Sequence, residues 1–269
     1  MAAASRLNGR CNLGWREGPD MCESLPAVDF PQGIIKLEHP LRSFFDALRG
    51  QGSVRIVAMG SSSTAGREDV VPYPYRLEMY LRRHYAEQLP NVRIDVLNRG
   101  KGGEEAPQEL KRFEADIFRD TPSLVLWQVG TNAVFHDDQY KFKDVVDAIT
   151  EGVQQLLQSR EPPMDVVLID PQYVTAMLRD EKAELSEKIV LAIREIAKAA
   201  RVNLFQRWTL MRHWHVQNGV SFEQLLDPTD RPDMLHQSDW STLQVSKALC
   251  QAITDATRSA GWLSAGVKP

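Results

Sequence analysis

Three loops and one short motif near the C-terminus hold the residue types of a nucleophilic site. Gly60-Ser61-Ser62-Ser63-Thr64-Ala65-Gly66 packs small residues and hydroxyls together. At a strand-to-helix turn such a segment lets backbone approach a substrate and presents N–H groups to it. The lysine of a phosphate-cradling G-x-x-x-x-G-K-[ST] loop is missing, and Arg67 follows instead. Asn98-Arg99-Gly100-Lys101-Gly102-Gly103-Glu104 is glycine-rich but lacks G-x-G-x-x-G spacing. Gly130-Thr131-Asn132-Ala133 offers a carboxamide, which could equally brace its own turn. In Asp233-Met234-Leu235-His236 a carboxylate stands three residues before an imidazole. Within one turn it could reach Nδ1, fix the tautomer and stabilise the imidazolium. Taken singly these are a polar turn, a structural Asn and a chance pair. Taken in order they suit a histidine-activated serine with backbone and amide donors for an oxyanion.

The elements around them say where those loops lie. Val54–Met59, Arg93–Leu97, Leu124–Val129, Val166–Ile169 and Val202–Phe205 read as five short strands. Leu41, Phe44, Phe45 and Leu48 keep a helical stripe. So do Phe142 to Leu157 and Leu185 to Ile196, and a last helix is expected from about Ser241 through Ile253. Apolar strands alternating with helices predict a parallel sheet covered on both faces. In such sheets the site sits outside the carboxyl ends of the strands. The serine, glycine and asparagine loops follow the first three strands directly. Residues 1–33, rich in Gly, Pro and Asn, read as an irregular arm before a single domain over 34–269. There is no internal repeat.

Composition narrows the function classes. With 36 acidic and 32 basic residues the net charge is −4, so no global basic field draws nucleic acid. Arg82-Arg83-His84 reads as a solvated helix face. No apolar run reaches the roughly 18 residues of a membrane span. His136, Asp137 and Asp138 read as a solvated loop, and His213 and His215 as packing or surface residues. Tyr73 and Tyr75 follow the serine loop closely enough to edge a site.

The four blocks resemble those of SGNH (GDSL-like) hydrolases: a G-D-S loop, a glycine loop, a G-x-N-D loop and a D-x-x-H motif. The resemblance implies a flavodoxin-like three-layer α/β/α sandwich on a five-stranded parallel sheet. It implies Ser62 as nucleophile and Asp233 and His236 as the rest of the triad. The N–H groups of Ser62 and Gly103 and the amide of Asn132 would be the oxyanion donors. No metal or organic cofactor is implied. The expected activity is carboxylester hydrolysis on small or medium acyl groups, including O-acetyl groups on carbohydrate. O-acyl transfer to a sugar hydroxyl, or a silent ligand- or polysaccharide-binding module, are the alternatives. Two positions depart from the pattern: Ser61 and Ala133 stand where the family carries Asp. That puts loop rigidity and substrate fit in question more than the reaction.

Gly60–Gly66, Asp170-Pro171-Gln172-Tyr173 and Met211-Arg212-His213-Trp214 are closest to a bacterial, often exported subgroup. Cys11, Cys22 and Cys250 have no metal-ligand spacing and read as free thiols or as one bridge with a thiol left over. The subgroup carries cysteines near Cys22 and Cys250, implying a bridge between them and hence the periplasm or exterior. Against this, Met1-Ala2-Ala3-Ala4-Ser5 lacks the features of a signal peptide, an argument for the cytoplasm, but the periplasm or exterior is slightly favoured. The oligomeric state is not readable.

Overall fold

Five runs of β-branched and apolar residues form one parallel sheet: β1 (Ser53–Gly60), β2 (Arg93–Gly100), β3 (Leu124–Gln128), β4 (Asp165–Ile169) and β5 (Asn203–Phe205). The structure is a computed structural model and describes residues 26–262 except 68, 159, 160 and 180. Strand order is β2-β1-β3-β4-β5, the flavodoxin-like order. Register pairs Val57 with Leu97 and Val125, and Val125 with Val166. Every residue of β3 is buried, because helices cover the sheet on both faces.

Among the helices are α1 (Arg42–Arg49), the single turn α2 (Ser62–Ala65), α3 (Tyr73–Tyr85), the single turn α4 (Asn132–Phe135), α5 (Phe142–Leu157), α6 (Lys182–Ala200), α7 (Arg207–Val216) and α8 (Asp239–Thr257). Helices α1, α3 and α8 pack together on one face, and α5 with α6 on the other. The result is a three-layer α/β/α sandwich. The last helix starts before Ser241 because the Ser238 hydroxyl caps it, accepting the Ser241 N–H at 3.1 Å. Helix α3 opens on Pro72-Tyr73-Pro74, where proline in the first turn loses no helical hydrogen bond. It buries Tyr73, Leu77, Leu81 and Tyr85, so Tyr73 turns into the core while Tyr75 faces solvent.

Residues 26–33 lie on this body: Val28 and Phe30 pack against the core, and Asp29 meets His213 Nε2 at 2.7 Å. Cys22, and with it the expected bridge, lies outside the described residues. Cys250 is half-buried on α8, and burial pushes its thiol up to about 12. No described helix is long and apolar enough to cross a membrane.

Candidate active site

Strand β1 ends at Gly60, and Ser61 precedes the single turn that begins with Ser62. This places the Ser62 side chain at the carboxyl edge of the sheet. Its Oγ lies 2.9 Å from His236 Nε2. The glycine loop comes directly alongside: a Cβ on Gly100 would stand 2.2 Å from the Ala65 backbone nitrogen, so only glycine allows this approach.

The carboxylate at the other ring nitrogen belongs to Asp230, not Asp233. Asp230 Oδ2 lies 2.9 Å from His236 Nδ1. The expected Asp-x-x-His contact assumes a helical turn, but residues 230–236 form a tight loop with Met234 in the left-handed region, φ 55°. The loop folds around Asp230, whose Oδ2 also accepts the N–H groups of Leu235 and His236, each at 2.7 Å. Asp233 instead lines a separate cavity with Phe135 and Lys182. With Nδ1–H donated to Asp230, Nε2 is left to accept the Ser62 proton. Burial alone would raise the Asp230 pKa, but the His236 and Leu235 N–H groups and the His236 ring outweigh it. The carboxyl therefore titrates below its ordinary value. Arg67 binds the far side of the same carboxylate through Nη1, which also stands 3.0 Å from Nδ1. This permanent cation favours the ionised acid.

The two other expected donors lie on the loops that follow β2 and β3. Gly103 has φ 78°, and its carbonyl accepts the Tyr140 hydroxyl at 2.7 Å. Gly102 comes nearer the nucleophile, since a Cβ there would lie 3.9 Å from Ser62 Cβ. Asn132 is buried at the start of α4, and its Nδ2 donates to the Glu104 carbonyl at 2.7 Å. The amide keeps a second hydrogen. Glycine loop and Asn132 are thus locked together beside the serine.

Residues 27–259 match the Non-GDSL lipase-like family. The chain belongs to that family. Membership makes it a hydrolase acting on ester bonds, and the sheet order is that of the SGNH fold. No curated protein matches the chain. Among solved structures, LAE5, an alpha/beta hydrolase from the metagenome of Lake Arreo in Spain, is 18% identical at TM-score 0.59, over 77% of this chain and 96% of LAE5. A two-domain esterase active on acetylated mannans is 17% identical at TM-score 0.64, over 84% of this chain and 57% of that one. Axe2, an acetylxylan esterase from Geobacillus stearothermophilus, is 17% identical at TM-score 0.58, over 81% and 99%.

In this lipase-like protein, buried side chains from other segments hold the two loops that lack the family Asp. Below the nucleophile, Gln128 Oε1 accepts the Ser61 N–H at 3.3 Å and its hydroxyl at 3.1 Å. At the asparagine loop, Glu105 accepts the N–H groups of Gly130 at 2.9 Å and Ala133 at 3.0 Å. Burial pushes the Glu105 carboxyl up, and these backbone donors resist it. Burial, then the charge of Glu105, pushes Glu109 well above the usual carboxylate range. Glu109 Oε2 accepts the Trp127 indole N–H at 2.6 Å.

Gln172 ties the three catalytic loops together. Its Oε1 lies 3.3 Å from Ser63 Oγ and 3.2 Å from Thr131 Oγ1, both donors. The same oxygen accepts Arg207 Nη2 at 2.8 Å, and Nε2 donates to the Leu235 carbonyl at 3.2 Å. Gln172 and Arg207 are both buried. Asp230, Glu105, Gln128 and Gln172 escape sequence reading. Gln172 lies in the Asp170–Tyr173 stretch, but only tertiary packing brings these side chains under the site. Among the described residues no three His, Cys, Asp or Glu side chains gather as metal ligands. His136 packs edge-on against Phe135, and His215 Nδ1 pairs with the Val220 carbonyl at 2.8 Å.

Proposed function

We propose that the protein is a serine carboxylester hydrolase that removes short acyl groups, O-acetyl groups on carbohydrate among them, through an acyl-enzyme on Ser62. The unbroken line Asp230–His236–Ser62, with 2.9 Å at each ring nitrogen, carries this reading. His236 Nε2 takes the hydroxyl proton as Ser62 Oγ bonds to the ester carbonyl carbon. The carbonyl electrons move to oxygen, and the N–H groups of Ser62 and Gly103 with the Asn132 amide receive that oxyanion. As the carbonyl re-forms, the alcohol oxygen leaves with the proton from Nε2. Water then attacks the acyl-enzyme, giving its proton to His236, and the acid departs as Ser62 regains a hydrogen. The Asp230 carboxylate stays ionised and stabilises the imidazolium at each step.

Cavity size supports a short acyl group. The space enclosed by Ser62, Gly66, Pro72, His236 and Thr242 is about 20 Å³, close to one water-sized sphere. So small a space favours a methyl over a long chain. The acetylated polysaccharides named for two structural neighbours support the carbohydrate part. The Ser62–His236 contact favours an active enzyme over a silent binding module. The Gly60–Gly66 block supports an exported, bacterial setting. The test is a series of p-nitrophenyl esters from acetate to octanoate, run beside acetylated xylan. Acetate should be cleaved fastest, and inactivity on every ester would overturn the reading.

A further inference from the structure

Beside the triad lies a second, larger cavity of about 510 Å³, within the range of small-molecule sites. Two of its walls continue from catalytic segments. Phe135 ends the single turn that Asn132 begins, about 5 Å along the helix. Asp233 stands in the loop that carries Asp230 and His236. Of the remaining polar walls, Asp137 follows the turn that ends at Phe135, and Arg179, Glu181 and Lys182 come from the segment entering α6. The loop and this segment are stitched together, since the Ala176 N–H donates to the Met234 carbonyl at 3.3 Å. We propose that this cavity is the subsite for the alcohol half of the substrate and that it takes a neutral polyhydroxylated group, a saccharide. The proposal rests on the ester-hydrolase reading above.

Three observations favour that ligand class. The pocket that Ser62 and His236 line together is small, about 20 Å³, so the larger neighbouring cavity better houses a bulky alcohol. The larger cavity mixes two cations, Arg179 and Lys182, with three carboxylates, Asp137, Glu181 and Asp233. Such a wall has no single-sign field to select an ion. It does alternate donors with acceptors, which suits hydroxyl groups that are both. The half-buried Phe135 ring adds an apolar surface for the C–H face of a sugar. One corner is pre-set: Lys182 Nζ donates to the Phe135 carbonyl at 2.6 Å and stands 5.2 Å over that ring, 3.5 Å from Asp137. Asp233 and Arg179, both exposed, are left to meet the ligand. The carboxylate that sequence reading gave to the triad thereby becomes a substrate contact.

The test has a binding arm and a kinetic arm. The Ser62→Ala protein is titrated with unacetylated xylotetraose and mannotetraose by saturation-transfer NMR. One of the two should bind, and Asp233→Ala or Arg179→Ala added to Ser62→Ala should weaken it about tenfold or more. On the active background, the same two changes should lower the ratio of kcat/KM on acetylated xylo-oligosaccharide to that on p-nitrophenyl acetate by a similar factor. Thermal midpoints of the variants check that they fold. Saccharide binding untouched by both changes would overturn the subsite, as would no binding or tighter capture of a charged sugar such as glucuronate. A wild-type protein inactive on every ester would instead overturn the hydrolase reading, and the binding arm would still decide the subsite.

Discussion

Asp230 Oδ2 meets His236 Nδ1 at 2.9 Å while accepting the backbone N–H groups of Leu235 and His236. One oxygen therefore sets both the ring's tautomer and the loop that carries the ring. Asp230→Asn should lower kcat by about 10³- to 10⁴-fold, as loss of the orienting carboxylate does in serine triads. It should also lower the thermal midpoint, because an amide cannot hold the two N–H groups and the ring as a carboxylate does. Steady-state rates on p-nitrophenyl acetate with a melting curve read both effects. An Asp230→Asn protein at wild-type kcat would remove Asp230 from the triad.

Ser62→Ala should abolish measurable turnover, at least about 10³-fold, with the fold intact. Ser61→Ala and Ser63→Ala should each keep most activity, because the Ser61 hydroxyl points to Gln128 and the Ser63 hydroxyl to the Gln128 and Gln172 carboxamides rather than to His236. A fluorophosphonate probe should label wild type at Ser62 and leave Ser62→Ala unlabelled. Labelling at Ser61 or Ser63 would move the nucleophile.

Much of the fold was legible because its strands are short, apolar and separated by clear helical stripes. All five fall within a residue or a few of their expected places, and the serine, glycine and asparagine loops follow β1, β2 and β3. The start of helix α3 was hidden by its two prolines, which sit where a helix start tolerates them. Asp230 was hidden for another reason. Asp227, Asp230 and Asp233 all precede His236 in one turn-rich stretch, and spacing favours the carboxylate within one helical turn. The turn in which Met234 has φ 55° closes the loop around Asp230 and brings its carboxylate to the ring. The bonds by which Gln128, Glu105 and Gln172 reach the catalytic loops cannot be read locally, since they run to Ser61, Gly130 and Ser63, 67, 25 and 109 residues away.

Stability should fall as pH rises through neutrality, and Asp170 is one cause. It is fully buried, with Oδ1 accepting the Trp208 N–H at 2.8 Å and Oδ2 unpaired. Burial raises its pKa to about 7, against the opposing pull of that N–H and of Arg207. A carboxyl whose folded pKa is raised binds its proton more tightly in the native state. Its contribution is full below the unfolded value of about 4 and is lost as pH climbs through 7. Asp230, with its pKa lowered, works the other way and loses its contribution toward acid. Asp170→Asn cannot ionise, so its thermal midpoint should drop less than wild type's between pH 5 and 8. Parallel midpoints for the two proteins across that range would show that Asp170 does not titrate there.

Gln172 gives the sharpest separation of rate from binding. It touches no substrate position, yet its carboxamide joins Ser63, Thr131 and the Leu235 carbonyl, one partner beside each catalytic element. Gln172→Met keeps length and burial but removes all these bonds, leaving Arg207 short of one acceptor. An unsatisfied buried group costs about 1–3 kcal/mol, so the melting point should fall. Well below that temperature, kcat should still be about 10- to 100-fold lower, since misplacement by about 1 Å has that effect on reacting groups, while KM changes little. Gln172→Glu keeps the acceptor oxygen and loses the donor to Leu235, so its kcat should lie between the two. A Gln172→Met enzyme that melts early but turns over like wild type would reduce Gln172 to a structural brace.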